Sequence, residues 1–156
     1  MKFKNHLLVY ILVSGFLFTI DQFLKYFART NPDWTYYLWH PWLGWEYFTN
    51  TGIAFSLPFP NGLVIILTPL IILGLIIWMI KLVRNKKSIS YLLSLIIILA
   101  GALSNYIDRI FFNATIDYLR VLTGIINLAD VMIAGGVVML IFGNKKIENF
   151  KLCLPK

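Results

Sequence analysis

Apolar residues in this chain run in four long blocks, each bounded by polar or charged positions: about Leu7 to Phe27, Leu63 to Ile80, Ile89 to Phe112 and Ile125 to Phe142. A helix that crosses hydrocarbon needs about 20 mostly apolar residues. The pattern therefore predicts four membrane-spanning helices in one domain over residues 1–156. Pro69 interrupts the second block, which a bundle tolerates when neighbours re-satisfy the freed carbonyl. Lys2 and Lys4 ahead of the first block imitate a secretory signal. No convincing small-residue cleavage site follows them and three further blocks do, so the first block is read as a retained helix.

The one long connection, residues 31–62, is of another kind. Trp34, Tyr36, Tyr37, Trp39, Trp42, Trp45, Tyr47 and Phe48 crowd into fifteen positions, and such aromatics sit at the headgroup level of a membrane. The runs Trp34–Trp39 and Trp45–Thr49 have strand-like composition and are separated by Pro41 and Gly44. They predict a small antiparallel sheet lying on the outer membrane surface, with an unstructured aromatic loop as the alternative.

Composition agrees with the pattern. Of the 156 residues 59% are hydrophobic and 13% charged, with a mean hydropathy of +0.76. A soluble domain carries roughly a quarter charged residues, so a soluble globular protein and a disordered chain are both excluded. Cys153 is the only cysteine and His6 and His40 lie far apart. Disulfide, zinc and Ser-His chemistry thus have almost nothing to work with, and no metal site is expected.

The net charge of +7 is informative through its placement. Lys2, Lys4, Lys81, Arg84, Lys86, Lys87, Lys145, Lys146, Lys151 and Lys156 fall at one end of the blocks with only Glu148, a balance of +9. Lys25, Arg29, Arg109 and Arg120 fall at the other end with Asp21, Asp33, Glu46, Asp108, Asp117 and Asp130, a balance of −2. By the positive-inside rule both termini are expected in the cytoplasm. The basic charge is a topology signal, and no nucleic-acid partner is expected.

Ionisable groups inside spans are expensive and point to function by default. Asp21 comes about fourteen residues into the first span, a climb of ~20 Å towards the outer edge of the hydrocarbon. Asn105, Asp108 and Arg109 occupy the last two turns of the third span, Asp117 lies just beyond it, and Asn127 and Asp130 open the fourth. Four acids thus gather at one depth. Asp21 and Lys25, spaced i, i+4, can pair on one helix face, so a structural role suits them as well as a catalytic one. Asp108 also leans towards structure. Asp117 reads as a loop residue with Arg120 three positions on, open to being a solvated charge. Asp130 is the hardest to explain structurally, because no cation lies within four residues. Ser14, Ser94 and Ser104, with the Ala100–Ala102 and Ala134–Gly136 clusters, read as helix-packing surfaces.

Paired carboxylates with Asn donors suit aspartic peptidase chemistry: two neighbours share a proton, one activating water while the other polarises a carbonyl. A small proton-coupled transporter is the alternative, although transporter sites lie near the midplane, often between repeats. A non-catalytic scaffold would carry these acids at needless cost.

Four blocks in order resemble the lipoprotein signal peptidases, or signal peptidase II. Asp21-Gln22-Phe23-Leu24-Lys25 resembles that family's D-Q-x-x-K, and Asn50-Thr51-Gly52-Ile53-Ala54-Phe55-Ser56 its N-x-G-x-A-F loop. Ala100-Gly101-Ala102-Leu103-Ser104-Asn105-Tyr106-Ile107-Asp108-Arg109 is similar to G-G-x-x-G-N-x-x-D-R, with Ile116-Asp117-Tyr118 as the following V-D-F. Ile126-Asn127-Leu128-Ala129-Asp130 is similar to F-N-x-A-D.

The resemblance implies that Asp117 and Asp130 are the catalytic pair and that Asp108 supports them. Asn50, Asn105, Arg109 and Asn127 would line the substrate site, with Gly52, Ala129, Asp21 and Lys25 among the supporting positions. It implies an all-α, four-helix membrane bundle, monomeric, in the bacterial cytoplasmic membrane with its site near the extracytoplasmic face. The implied reaction removes the signal peptide of diacylglyceryl-modified prolipoproteins just before the lipidated cysteine, without metal or cofactor; its partners are those substrates and membrane lipid. Ala100 and Ser104 stand where the family has glycine, and Ile126 where it has Phe. Only twelve residues separate Asp117 from Asp130, a shorter connection than in many members and one expected to reduce the lid over the site.

Overall fold

A computed structural model describes residues 2–53, 57–84 and 89–142. The motif residues Ala54, Phe55 and Ser56, the linker lysines Lys86 and Lys87, and the C-terminal lysines with Glu148 and Cys153 lie outside the described residues.

Helix α1 spans Lys2–Thr30, α2 Asn61–Arg84 and α3 Ile89–Phe112. Among the described residues these three are long and apolar enough to cross a membrane. The apolar α4, Leu128–Phe142, is shorter at 15 residues, or about 22 Å. Large apolar side chains face outward along the helices, such as Phe16 at 66% and Leu70 at 62% exposure, as a lipid solvent requires. Pro60 starts α2 by accepting from the N–H groups of Leu63 and Val64 at 3.0 and 3.3 Å, two of the donors a first turn leaves without helical partners. Pro69 lies within α2 without ending it.

Helix α3 is the centre of the bundle, in contact with α1, α2 and α4. Its approach to α4 depends on glycine. A Cβ on Gly101 would stand 2.6 Å from the Ala129 carbonyl oxygen, and one on Gly136 would stand 2.5 Å from Ile98 Cγ1. The close-approach reading thus holds for these two glycines, whereas Gly135 faces open space.

Strands β1 (Tyr36–Trp39), β2 (Leu43–Asn50), β3 (Thr115–Val121) and β4 (Gly124–Ile126) form one antiparallel sheet in that order. The aromatic run is therefore a sheet, not an unstructured loop. Gly44 lies within β2 opposite Tyr37 and does not separate the strands, because any side chain there would strike the Tyr36 and Tyr37 backbone.

Two expectations need correction. Asp117 is not a loop residue: it lies in β3, opposite Phe48 of β2, and is 1% exposed. The fourth apolar block does not enter its helix at Ile125, since Ile125 and Ile126 pair with Arg120 and Leu119 in the β3–β4 hairpin. The helix begins only at Leu128. The short connection between the two acids is thus mostly hairpin, turned through Leu122 and Thr123. Leu122 has a φ of 54°, a conformation that hairpin turns often require.

The sheet docks on the C-terminal end of α1. Ala28, Ile116 and Tyr118 form a buried cluster flanked by Leu24, Trp45, Tyr47, Leu119 and Leu128, with the Trp45 and Tyr118 rings 4.9 Å apart. This contact brings β3, and Asp117 with it, to the N-terminus of α4.

Candidate active site

Asp117 and Asp130 arrive from different elements, and Asn127 lies between them. The Asn127 side-chain amide donates to Asp117 Oδ1 at 2.6 Å and to the Ile116 carbonyl at 3.3 Å. Its Oδ1 accepts the Asp130 N–H at 2.8 Å, while Asp130 Oδ2 accepts the Asn127 N–H at 3.3 Å. This reciprocal pair is a capping box, with Asn127 as N-cap and Asp130 three residues on. A structural role therefore does exist for Asp130, and it needs no cation. The sequence N-L-A-D sets the start of α4 and the aim of its acid together.

A second amide steadies each acid. Asn50 Nδ2 donates to Asp117 Oδ2 at 3.0 Å, and Asn50 Oδ1 accepts the Gly52 N–H at 3.0 Å. Asn105 Nδ2 donates to Asp130 Oδ1 at 2.8 Å. Burial, with the negative charge of Asp130 behind it, raises the Asp117 carboxyl from 3.8 to about 7, even though the two amide donors favour its ionised form. Near neutral pH Asp117 can therefore hold or release a proton, as a general acid must.

Beneath the two acids lies a buried polar network. Lys25 Nζ sits 2.9 Å from Asp21 Oδ2, 2.9 Å from Asp108 Oδ2 and 2.8 Å from Asn105 Oδ1. The three donors of the ammonium are thus shared among two carboxylates, one amide and, at 3.3 Å, the Ser104 hydroxyl. Because Lys25 occupies the Asn105 oxygen, the Asn105 NH₂ must point the other way, to Asp130. Asp21 accepts four hydrogen bonds in all. Its Oδ1 receives Tyr118 OH at 2.9 Å and Ala129 N–H at 3.1 Å, and its Oδ2 receives Ser104 Oγ at 2.5 Å besides Lys25. Asp108 Oδ2 also receives the Ile116 N–H at 3.1 Å, tying α3 to β3.

Asp21, Lys25 and Asp108 are thus buried, and their contacts lock α1, α3, β3 and α4 together. Among the described residues Arg109 forms no ion pair with an acid. Its Nη1 donates to Asn61 Oδ1 at 3.0 Å and its Nη2 to the Gly52 carbonyl at 2.5 Å, so it clamps the turn after β2 to the start of α2. Arg120 pairs with Glu46, not with Asp117, and holds the Glu46 carboxyl below its ordinary value.

Three participants escaped the sequence reading: Ser104, Tyr118 and Gln22. Ser104 is no mere packing residue, since it donates to Asp21 and accepts from Gln22 Nε2 at 2.8 Å and Lys25 at 3.3 Å. Its signal was present, because Ser104 and Asp108 repeat on α3 the i, i+4 spacing of Asp21 and Lys25 on α1. Tyr118 OH accepts the Leu128 N–H at 3.1 Å, a contact that no spacing rule foretells. Among the described residues no group of three or more His, Cys, Asp or Glu side chains is arranged to hold a metal ion.

The chain is similar to known proteins in sequence and fold. The model of signal peptidase (SPase) II matches residues 13–144. The lipoprotein signal peptidase of Bartonella henselae is 36% identical over 149 residues, covering 90% of this chain and 88% of that protein. Its counterpart from Enterococcus faecalis is 33% identical over 138 residues, covering 85% and 84%. Two bacterial membrane enzymes solved by the in meso method, at 2.3 and 1.9 Å resolution, share the fold. Their TM-scores are 0.76 and 0.73 at 20% and 22% identity, covering 95% and 86% of this chain and 93% and 91% of theirs. With the match spanning most of its length, the chain belongs to the signal peptidase II family.

Proposed function

We propose that this chain is an aspartic peptidase of the bacterial cytoplasmic membrane that removes the signal peptide of diacylglyceryl-modified prolipoproteins, cutting before the lipidated cysteine. One observation carries the choice of residues: a single side chain, Asn127, holds Asp117 by its amide and Asp130 by its capping box. Family membership supports the peptidase activity and leaves a proton-coupled transporter without support.

In the reaction proposed, Asp117 carries the proton of the pair and Asp130 is ionised. Asp130 takes a proton from water as its oxygen attacks the scissile carbonyl carbon, and Asp117 donates its proton to the carbonyl oxygen. Collapse of the tetrahedral intermediate returns that proton to Asp117 and sends the one on Asp130 to the leaving nitrogen, restoring the pair. Asn50, Asn105 and Asn127 orient the carboxyls, Arg109 fixes the turn at Gly52, and Ala129 gives its N–H to Asp21. Lys25, Asp21 and Asp108 act as positioning residues.

Four spans with both termini in the cytoplasm, a sheet on the outer surface and a single copy as the working unit complete the reading. The charge split, the aromatic sheet and the gathering of acids at the sheet end support it. A scissile bond must reach acids held among apolar helices, and a free peptide would lose stability by burying its backbone there. Two acyl chains on the adjacent cysteine, at ~0.8 kcal/mol per buried methylene, anchor the substrate at that depth. The test is a gel shift of a lipidated precursor and its Cys→Ser counterpart with purified enzyme. Cleavage of the lipidated form alone is expected; equal rates on both would refute the lipoprotein reading.

A further inference from the structure

At the end of the bundle away from the sheet, α1 and α2 stand apart over α3 and leave a groove of about 720 Å³. Leu7, Gly15 and Phe18 line it from α1, Met79 from α2 and Leu99 from α3, with Ser14 the one uncharged polar residue of the lining and Arg84 its one charged residue. Gly15 opens the α1 wall, because a Cβ there would meet nothing within 4 Å. Arg84 is exposed and has no carboxylate partner among the described residues. Lys81 lies one turn earlier, and the described acids all lie towards the sheet.

We propose that this groove is a binding site for an anionic phospholipid, whose acyl chain fills the apolar trough while its phosphate pairs with Arg84. Basic pockets between membrane helices recognise anionic headgroups in this way. Charge decides against the competing occupant. A signal-peptide helix brings its own basic residues to this end of the membrane, and Arg84 and Lys81 would repel them. A free phosphate would satisfy Arg84 and leave the trough unfilled. None of the lining residues is among those placed around Asp117 and Asp130, so it stands or falls apart from the proposed chemistry.

The test measures retention of labelled phosphatidylglycerol and phosphatidylcholine by the purified full chain in non-ionic detergent, with inorganic phosphate as a third arm. The full chain is expected to prefer phosphatidylglycerol by at least about fivefold, the factor that about 1 kcal/mol per basic residue corresponds to. Arg84→Gln should lower that preference about fivefold and leave phosphatidylcholine uptake unchanged. Gly15→Leu should reduce retention of both lipids, because it puts a side chain into the groove from a position where a Cβ meets nothing within 4 Å, and with a better helix former. Gly135→Leu on α4, where a Cβ also meets open space, should retain both and controls for added bulk.

Equal retention of the two lipids, a preference that survives Arg84→Gln, or unchanged binding in Gly15→Leu would overturn the proposal. So would displacement of the lipid by phosphate alone or by the lipidated precursor. Conversion of a dimer to a monomer by Gly15→Leu would assign the groove to a second copy.

Discussion

Asp117→Asn should leave the protein inactive yet make its folded state relatively more stable as pH rises. An ordinary aspartate has lost its proton by about pH 4, whereas the folded chain holds that of Asp117 to about 7, chiefly because the group is buried. Between those values the folded state binds more protons than the unfolded one, so folding stability falls with increasing pH. At about 1.4 kcal/mol per pH unit the fall amounts to as much as about 4 kcal/mol by pH 8. Asparagine does not titrate and escapes this loss. Its fixed cost is that either Asn50 or Asn127, each now donating to one Asp117 oxygen, must face an NH₂ group. That mismatch costs about 1–3 kcal/mol at every pH. The difference between variant and parent should therefore climb by about 2–4 kcal/mol from pH 4 to pH 8, or roughly 5–15 °C in Tm for a chain this size. Thermal unfolding in detergent, followed by tryptophan fluorescence over that range, reads it directly. A flat difference, or one that shrinks as pH rises, would refute the raised carboxyl and with it the assignment of the shared proton to Asp117.

Asp21→Asn should act the other way, on stability more than on chemistry. It removes a charge from the buried Lys25 cluster and sets an NH₂ against donors, so a loss of about 3–5 kcal/mol is expected, seen as low yield and a lowered Tm, with kcat of the folded fraction within about tenfold of the parent. For topology, a cysteine placed at Trp42 should react with an impermeant reagent in intact cells, and one placed at Lys86 should not; labelling at residue 86 would reverse the orientation.

The legible parts of this fold were those governed by one strong term. Twenty-residue apolar runs declare helices because unsatisfied backbone is so costly in hydrocarbon, and α1, α2 and α3 follow their blocks closely. The aromatic density of residues 34–48 was enough to foretell β1 and β2. The other half of the sheet was hidden by its surroundings. In β3 the buried run Thr115, Ile116, Asp117, Tyr118 lacks the clean alternation of a half-exposed strand, since α1, α3 and the sheet cover it on both faces. In β4, Ile125 and Ile126 merge by composition with the apolar helix that follows, and only the Asn127 cap separates them.

The site divides along the same line. Spacing within one helix foretold the contact of Asp21 with Lys25. It could not foretell that Lys25 would turn Asn105 towards Asp130, because that link joins α1 to α3 to α4. Ser104 was read through the glycine it replaces, as a spacer, while its hydroxyl completes the hydrogen bonds of Asp21.

The central claim is that Asp117 and Asp130 together perform the cleavage, and kcat on a lipidated precursor measures it most directly. Asp117→Asn and Asp130→Asn should each lose at least ~10³-fold, about 4 kcal/mol or more of barrier, in protein that elutes and unfolds as a folded species. Normal turnover by either variant, above all with Asp108→Asn inactive, would contradict the account and move the chemistry to Asp108.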